Sequence, residues 1–383
     1  MQKAQQEYLL TLIQKSGIVL LTLTDALVAA WMGDGEIAGF GLAALSLYMC
    51  AVIMAPHITV AASEGSDALK AGDRRRAARL FGASSVPPTL VIGVAALISV
   101  ATLIPDFAFG GQATQAVDYL KWAMPAMVVG TVSRGAVKAL RADGEIMPTI
   151  WSSWTLAIVN IVGDLIAAHY GYGVAGLGIA TLVAECVSSP IAIYAAYRRG
   201  LIQCPSWGLV WEVTVMSRGK LVATIPELLV KAFTLKTREL MSREELAKFT
   251  LMRESLSAGD QVPAQIAKAG SNRAMRGAEG LEMALSWAWK FRAVAVIPVW
   301  VISGWQAAAA LVLMEVALRE YIAQRTARDY VAQARSEGAE QVVRLVLYAA
   351  LTHLNLLSAN TMLSAWLVGN GVYVLVGRYY RGR

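Results

Sequence analysis

The chain has 383 residues, of which 56% are hydrophobic and only 16% charged, and its mean hydropathy is +0.51. That balance excludes an ordinary water-soluble domain and describes a chain built of membrane-crossing helices. The formal net charge of +7 does not signal nucleic acid, because the basic residues lie in the connections between apolar runs.

A helix crossing the hydrocarbon needs about 20 apolar residues, so a chain of this length holds about a dozen spans. The spans predicted, in order, are 8–32, 37–62, 77–104, 116–140, 148–169, 173–197, 221–241, 245–270, 281–303, 305–334, 340–358 and 361–380. Lys15 interrupts the first apolar run and no small-residue cleavage site ends it, so a cleavable leader is not expected. Pro56, Pro125, Pro226, Pro263 and Pro298 fall within or near spans, where each frees a backbone carbonyl and can kink its helix. Pro87-Pro88 marks a break in span 3.

Lys and Arg alternate along the chain. The 2–3 connection carries Lys70, Arg74, Arg75, Arg76 and Arg79; the 4–5 connection Lys138 and Arg141; the 6–7 connection Arg198, Arg199, Arg218 and Lys220. The 8–9 and 10–11 connections and the C-terminus are also basic, whereas the intervening connections are nearly bare. This asymmetry predicts both termini in the cytoplasm of a plasma (inner) membrane and an even number of spans. Arg243 and Lys248, at an outer turn, are the exception.

The chain also repeats itself. Glu36-Ile37-Ala38-Gly39-Phe40 is echoed by Glu245-Leu246-Ala247-Lys248-Phe249, and Pro56 to Ala62 by Pro263 to Ala269, about 207 to 209 positions apart. An even number of helices separates the copies, so the two halves share one orientation. The expected architecture is therefore all-α integral membrane, with about 12 transmembrane helices in two pseudo-symmetric six-helix lobes, an arrangement found in transporters. The lobes are residues 1–206 and 207–383, divided in the polar stretch Gly200 to Lys220.

Spans 5 and 6 (Ser152 to Glu185) are the most informative stretch. Asn160 and Asp164 lie four residues apart on one helix face. Gly173, Gly176 and Gly178 are read as a smooth strip for close helix approach. A carboxylate inside a span costs about 2.5–3.5 kcal/mol when ionised on insertion scales, so it calls for a function. Asp25 in span 1 raises the same question.

At these residues the sequence resembles the MATE (multidrug and toxic compound extrusion) family of the larger flippase superfamily. The resemblance rests on Thr24-Asp25-Ala26 with the glycine-rich Gly33 to Ala43; on Ala139-Leu140-Arg141-Ala142-Asp143-Gly144-Glu145 followed by Pro148; and on Asn160-Ile161-Val162-Gly163-Asp164 with Gly173-Val174-Ala175-Gly176. It is good from about residue 17 to 200, weaker to 300, and scarcely visible after 305. It implies an antiporter that couples inward proton or sodium flow to outward movement of amphipathic, often cationic, small molecules. It also implies that Asp25, Asn160 and Asp164 carry ion coupling, and that Glu227 is the acidic residue of the C-lobe cavity. No cofactor is expected beyond the coupling H+ or Na+.

Spans 7, 8 and 10 depart from the pattern. They carry Glu227, Lys231, Lys236 and Arg238; Arg253, Glu254 and Asp260; and Glu315, Arg319 and Glu320. Three readings stand side by side. These charges line a cavity for a lipid-linked or anionic substrate, as in a flippase; or they pair internally and leave a drug antiporter intact; or they dock a membrane-protein partner, making the chain a non-transporting subunit.

Trp287, Trp289, Trp300 and Trp305 flank span 9 and are read as interface anchors. Cys50, Cys186 and Cys204 lack disulfide or zinc spacing and are read as packing residues. No metal cluster, nucleotide-binding loop or nucleophile with a base is visible, so an enzyme is not expected. Beyond its substrate, the partner implied is the lipid bilayer, with no nucleic acid.

Overall fold

In the computed structural model, residues 2–90, 93, 114–274, 280–327 and 330–381 are described, and they form helices joined by short turns with no strand among them. The helices are α1 (Gln2–Met32), α2 (Asp34–Lys70), α3 (Arg74–Ala83), α4 (Thr114–Ala142), α5 (Met147–His169), α6 (Gly173–Arg198), α7 (Trp207–Glu239), α8 (Arg243–Ala274), α9 (Leu281–Thr326), α10 (Tyr330–His353) and α11 (Ala359–Arg381). The fold is that of an all-α integral membrane protein. Candidate spans by length and hydropathy among the described residues include Asp34–Lys70, Met147–His169, Gly173–Arg198 and Ala359–Tyr380.

Among the described residues each predicted span has a helical counterpart, with three informative differences. Spans 9 and 10 run on as α9, broken only at Gly304, whose φ of 83° and ψ of 174° are non-helical. A side chain is strained at that φ, so glycine permits the turn. Span 10 ends at Thr326 rather than 334. Span 3 breaks at residues 84–85, just before Pro87-Pro88, and helix resumes at residue 86. Both prolines thus sit in a first turn, where a missing N–H costs nothing. The rest of span 3 lies outside the described residues. Pro56, Pro125, Pro226, Pro263 and Pro298 all lie inside helices, as does Pro190.

The chain divides into two compact units, Trp31–Leu228 and Met1–Ala30 with Leu229–Arg383. In the first, α6 packs on both α4 and α5, and α2 on α3 and α4. Its core includes Phe81 with Leu140, Ala192, Ala196 and Leu201. Small residues let these helices close up: a Cβ on Gly163 of α5 would stand 2.6 Å from the Ala180 methyl of α6. In the second unit, α8 packs on α9 and α10 on α11. Leu12 and Val19 of α1 join Val262, Ile266 and Ala284 in its core.

Gly173, Gly176 and Gly178 do not make one strip. Gly176 faces Ala167 of α5, Gly178 the backbone of Tyr119 in α4, and Gly173 the carboxylate of Glu36. At about 100° per residue these positions point three ways.

Within the first unit the connections gather by type. Arg74 donates to Asp143 at 3.1 Å, and Arg199 meets Glu145 at 2.9 Å and Asp143 at 3.8 Å. The basic 2–3, 4–5 and 6–7 connections therefore share one end of the unit. At the other end Glu36 of α2 accepts a hydrogen bond from the Val174 amide at 2.8 Å, capping α6. The second unit repeats that cap: Glu245 of α8 accepts from the Ala359 amide at 2.7 Å, at the start of α11. The echoed glutamates thus do the same job in both halves. Lys248, the topological exception, is matched locally by Glu244 at 2.8 Å and Glu245 at 3.8 Å. Its hydrogen bond holds the Glu244 carboxyl below the ordinary glutamate range.

Two sequence expectations change. The three cysteines are free, but Cys186 and Cys204 are exposed, so packing accounts at most for half-buried Cys50. Trp289, Trp300 and Trp305 are exposed, as interface anchors would be, whereas Trp287 lies tilted beside Phe291, ring centroids 6.1 Å apart, and packs against the core.

Candidate functional site

The described residues bring two of the four predicted site residues together. Asn160 and Asp164 are both fully buried on α5, and Asn160 Nδ2 donates to Asp164 Oδ2 at 2.8 Å. A helix places residues four apart one above the other, so this bond follows from the spacing alone. On the same helix Gly163 lets α5 close onto Ala180 of α6. Asp25 is buried on α1, in the other unit. Glu227 is half-buried on α7, where its Oε1 accepts from the Tyr48 hydroxyl at 3.1 Å.

Two further groups at mid-helix escaped the sequence reading. Glu185 lies on α6, against Gly130 of α4: a Cβ on that glycine would stand 2.6 Å from Glu185 Oε1. Ser189 Oγ donates to Glu185 Oε2 at 3.0 Å, and Arg134 lies one turn from Gly130 on the same face of α4. The signal that marked Asp164, one acid within an apolar run, also marks Glu185.

Arg292 is the second. It is fully buried in the first half of α9 and pairs with Asp260 of α8 and Glu315 of the second half of α9. Arg319 closes the group onto Glu315 at 2.7 Å. Two arginines and two carboxylates therefore balance. A buried charge persists only when paired in this way. The same unit pairs Arg253 with Glu254 at 2.9 Å and Arg344 with Glu340, while Arg238 lies over the Phe249 ring at 4.8 Å. Asp260 of span 8 and Glu315 of span 10 thus meet through Arg292 of span 9.

No family model matches the sequence, and no curated protein is significantly similar to it. Solved structures are similar in fold. An inward-facing multidrug resistance MATE family transporter of the MOP superfamily matches at TM-score 0.70 and 17% identity, over 94% of this chain and 93% of that one. The eukaryotic MATE transporter AtDTX14 matches at TM-score 0.72 and 14% identity, over 99% and 95%. A MOP superfamily transporter from Pyrococcus furiosus, described as having a binding pocket of reverse polarity that suggests a different function, matches at TM-score 0.68 and 16% identity, over 97% and 93%. The chain therefore has the fold of the MATE transporters along nearly its whole length.

Proposed function

We propose that this chain is a secondary active transporter of the MATE type, a proton- or sodium-coupled exporter of amphipathic or cationic compounds. Its lobes, 1–206 and 207–383, rock about the midplane of the plasma (inner) membrane, with both termini cytoplasmic. Asp25 and Asp164 take up and release the coupling ion, Asn160 holds the Asp164 carboxylate in place, and Glu227 contributes acidity on α7.

One observation carries the reading: a fully buried, hydrogen-bonded Asn160–Asp164 pair inside a MATE-like fold. A carboxylate removed from water resists ionisation, so it takes a proton or cation when closed in and gives it up when wetted. The internal pairing of Arg292 with Asp260 and Glu315 supports the antiporter over a basic cavity, since those cations are already balanced. A flippase for an anionic substrate draws on a smaller observation. Buried Arg238 lies over the Phe249 ring of α8, and Arg253 follows Phe249 by one turn, which brings two arginines to one place.

The test is efflux from proteoliposomes loaded with a fluorescent lipophilic cation under an imposed proton or sodium gradient. Gradient-driven efflux that Asp25→Asn and Asp164→Asn abolish is expected. Folded wild-type protein that moves nothing under either gradient defeats the reading. Movement of an anionic probe instead transfers the assignment to the flippase.

A further inference from the structure

We propose that Glu185 is a further ion-carrying carboxylate of the transport cycle, placed deeper along the path than Asp164, with Arg134 as its compensating charge. The inference rests on the transporter reading above.

Position comes first. The turn joining α5 to α6 lies at the end opposite the basic connections. Asp164 is five residues from that end of α5, about 8 Å of helix, and Glu185 is twelve residues into α6, about 18 Å. The two acids therefore stand at successive depths, Glu185 near the middle of its span.

Surroundings come second. Gly130 leaves room for the Glu185 carboxylate where any larger residue would displace it. Ser189, one turn deeper on α6, donates to it. Arg134 is one turn deeper than Gly130 on the same face of α4 and is exposed. Among the charged groups of packed elements, α4 also carries Lys138 and Arg141 towards its basic end. Asp164 lies on α5 towards the other end, and α2 places Glu36 and Glu64 at its two ends. Arg134, four residues from Gly130 on the same face of α4, is the nearest charge to the Gly130–Glu185 contact along the helix. A purely structural role needs only the Ser189 bond, which glutamine would keep; a carboxylate that cycles between charge states needs the ionisable oxygen.

For proton coupling the step is simple. One proton arriving from the outer side joins the Glu185 carboxylate, neutralises it beside Arg134, and leaves to the cytoplasm when the inner side opens. For sodium, the carboxylate is a ligand over the same interval.

Purified protein in lipid is titrated while the protonated-carboxyl infrared band is followed, and the same samples are assayed for gradient-driven efflux of the lipophilic cation. Glu185→Gln is expected to remove one pH-dependent carboxyl component and to reduce gradient-driven efflux at least tenfold. Glu185→Asp is expected to retain both in part. Glu185→Gln with Arg134→Gln, which keeps the local charge balanced, guards against loss of folding and is expected to be as inactive as the single variant. Infrared titration of Glu185→Gln that superimposes on wild type overturns the proposal even if wild type transports nothing. An active wild type with an equally active Glu185→Gln also overturns it. A wild type that moves no cation but loses the Glu185 component on substitution defeats the exporter reading and leaves the carboxylate assignment standing.

Discussion

Asp164 and Asn160 show how little is needed to build a charged site in a membrane: two residues four apart on one helix face, bonded to each other and buried. Asn160→Ala removes a buried donor from a buried carboxylate, and an unmet group of this kind costs about 1–3 kcal/mol. The variant should unfold at lower temperature in detergent, while Asp164→Asn, which keeps a hydrogen-bonding pair, should melt close to wild type. Arg292 makes a stronger demand. Removing one partner of a buried ion pair costs about 3–5 kcal/mol because the other charge is stranded. Arg292→Met, which strands Asp260 and leaves Glu315 with Arg319 alone, should therefore cripple folding, measured as loss of monodisperse protein on size exclusion. Asp25, Asn160 and Asp164 were legible because each is a polar residue within an apolar run. Glu185 and Arg292 carry the same mark, but neither falls on a motif with a familiar spacing.

At the level of elements, the paired caps are the clearest result. Glu36 and Glu245 occupy echoed positions and each accepts from the first amides of the helix that closes its half. A cap of this kind is worth about 1 kcal/mol. In Glu36→Ala the Val174 amide should exchange with deuterium faster while the Ala359 amide is unchanged, and Glu245→Ala should show the converse. Glu36→Gln, which can still accept, should protect Val174. Helix order was legible from apolar runs and basic connections. Contacts were less so: Gly173, Gly176 and Gly178 look alike in sequence, but helical rotation sends them to three neighbours. Proline misleads in the same way. Pro56 and Pro263 lie inside unbroken helices, whereas Gly304 alone turns α9.

For the whole molecule, the gathering of Arg74, Asp143, Glu145 and Arg199 at one end gives the topology a physical test. Cys204 is exposed in the connection after α6, and Cys186 is exposed within α6. If the basic connections face the cytoplasm, a membrane-impermeant maleimide should label Cys204 in inside-out vesicles and leave it unlabelled in right-side-out ones. Cys186, at span depth, should resist the reagent in both. The fold was legible because lipid permits few architectures and loop charge orients them. The pairing of the charged spans was not, because sequence shows which charges a helix carries but not which helix meets it.

The central claim, that ion movement and solute movement are one process, is tested most directly by running the exchange from the solute side. Proteoliposomes are loaded with a lipophilic cation and with pH and sodium indicators, with no ion gradient imposed. The cation should leave as protons or sodium enter, and Asp164→Asn should abolish both movements together. Cation efflux without any accompanying ion entry would contradict the account.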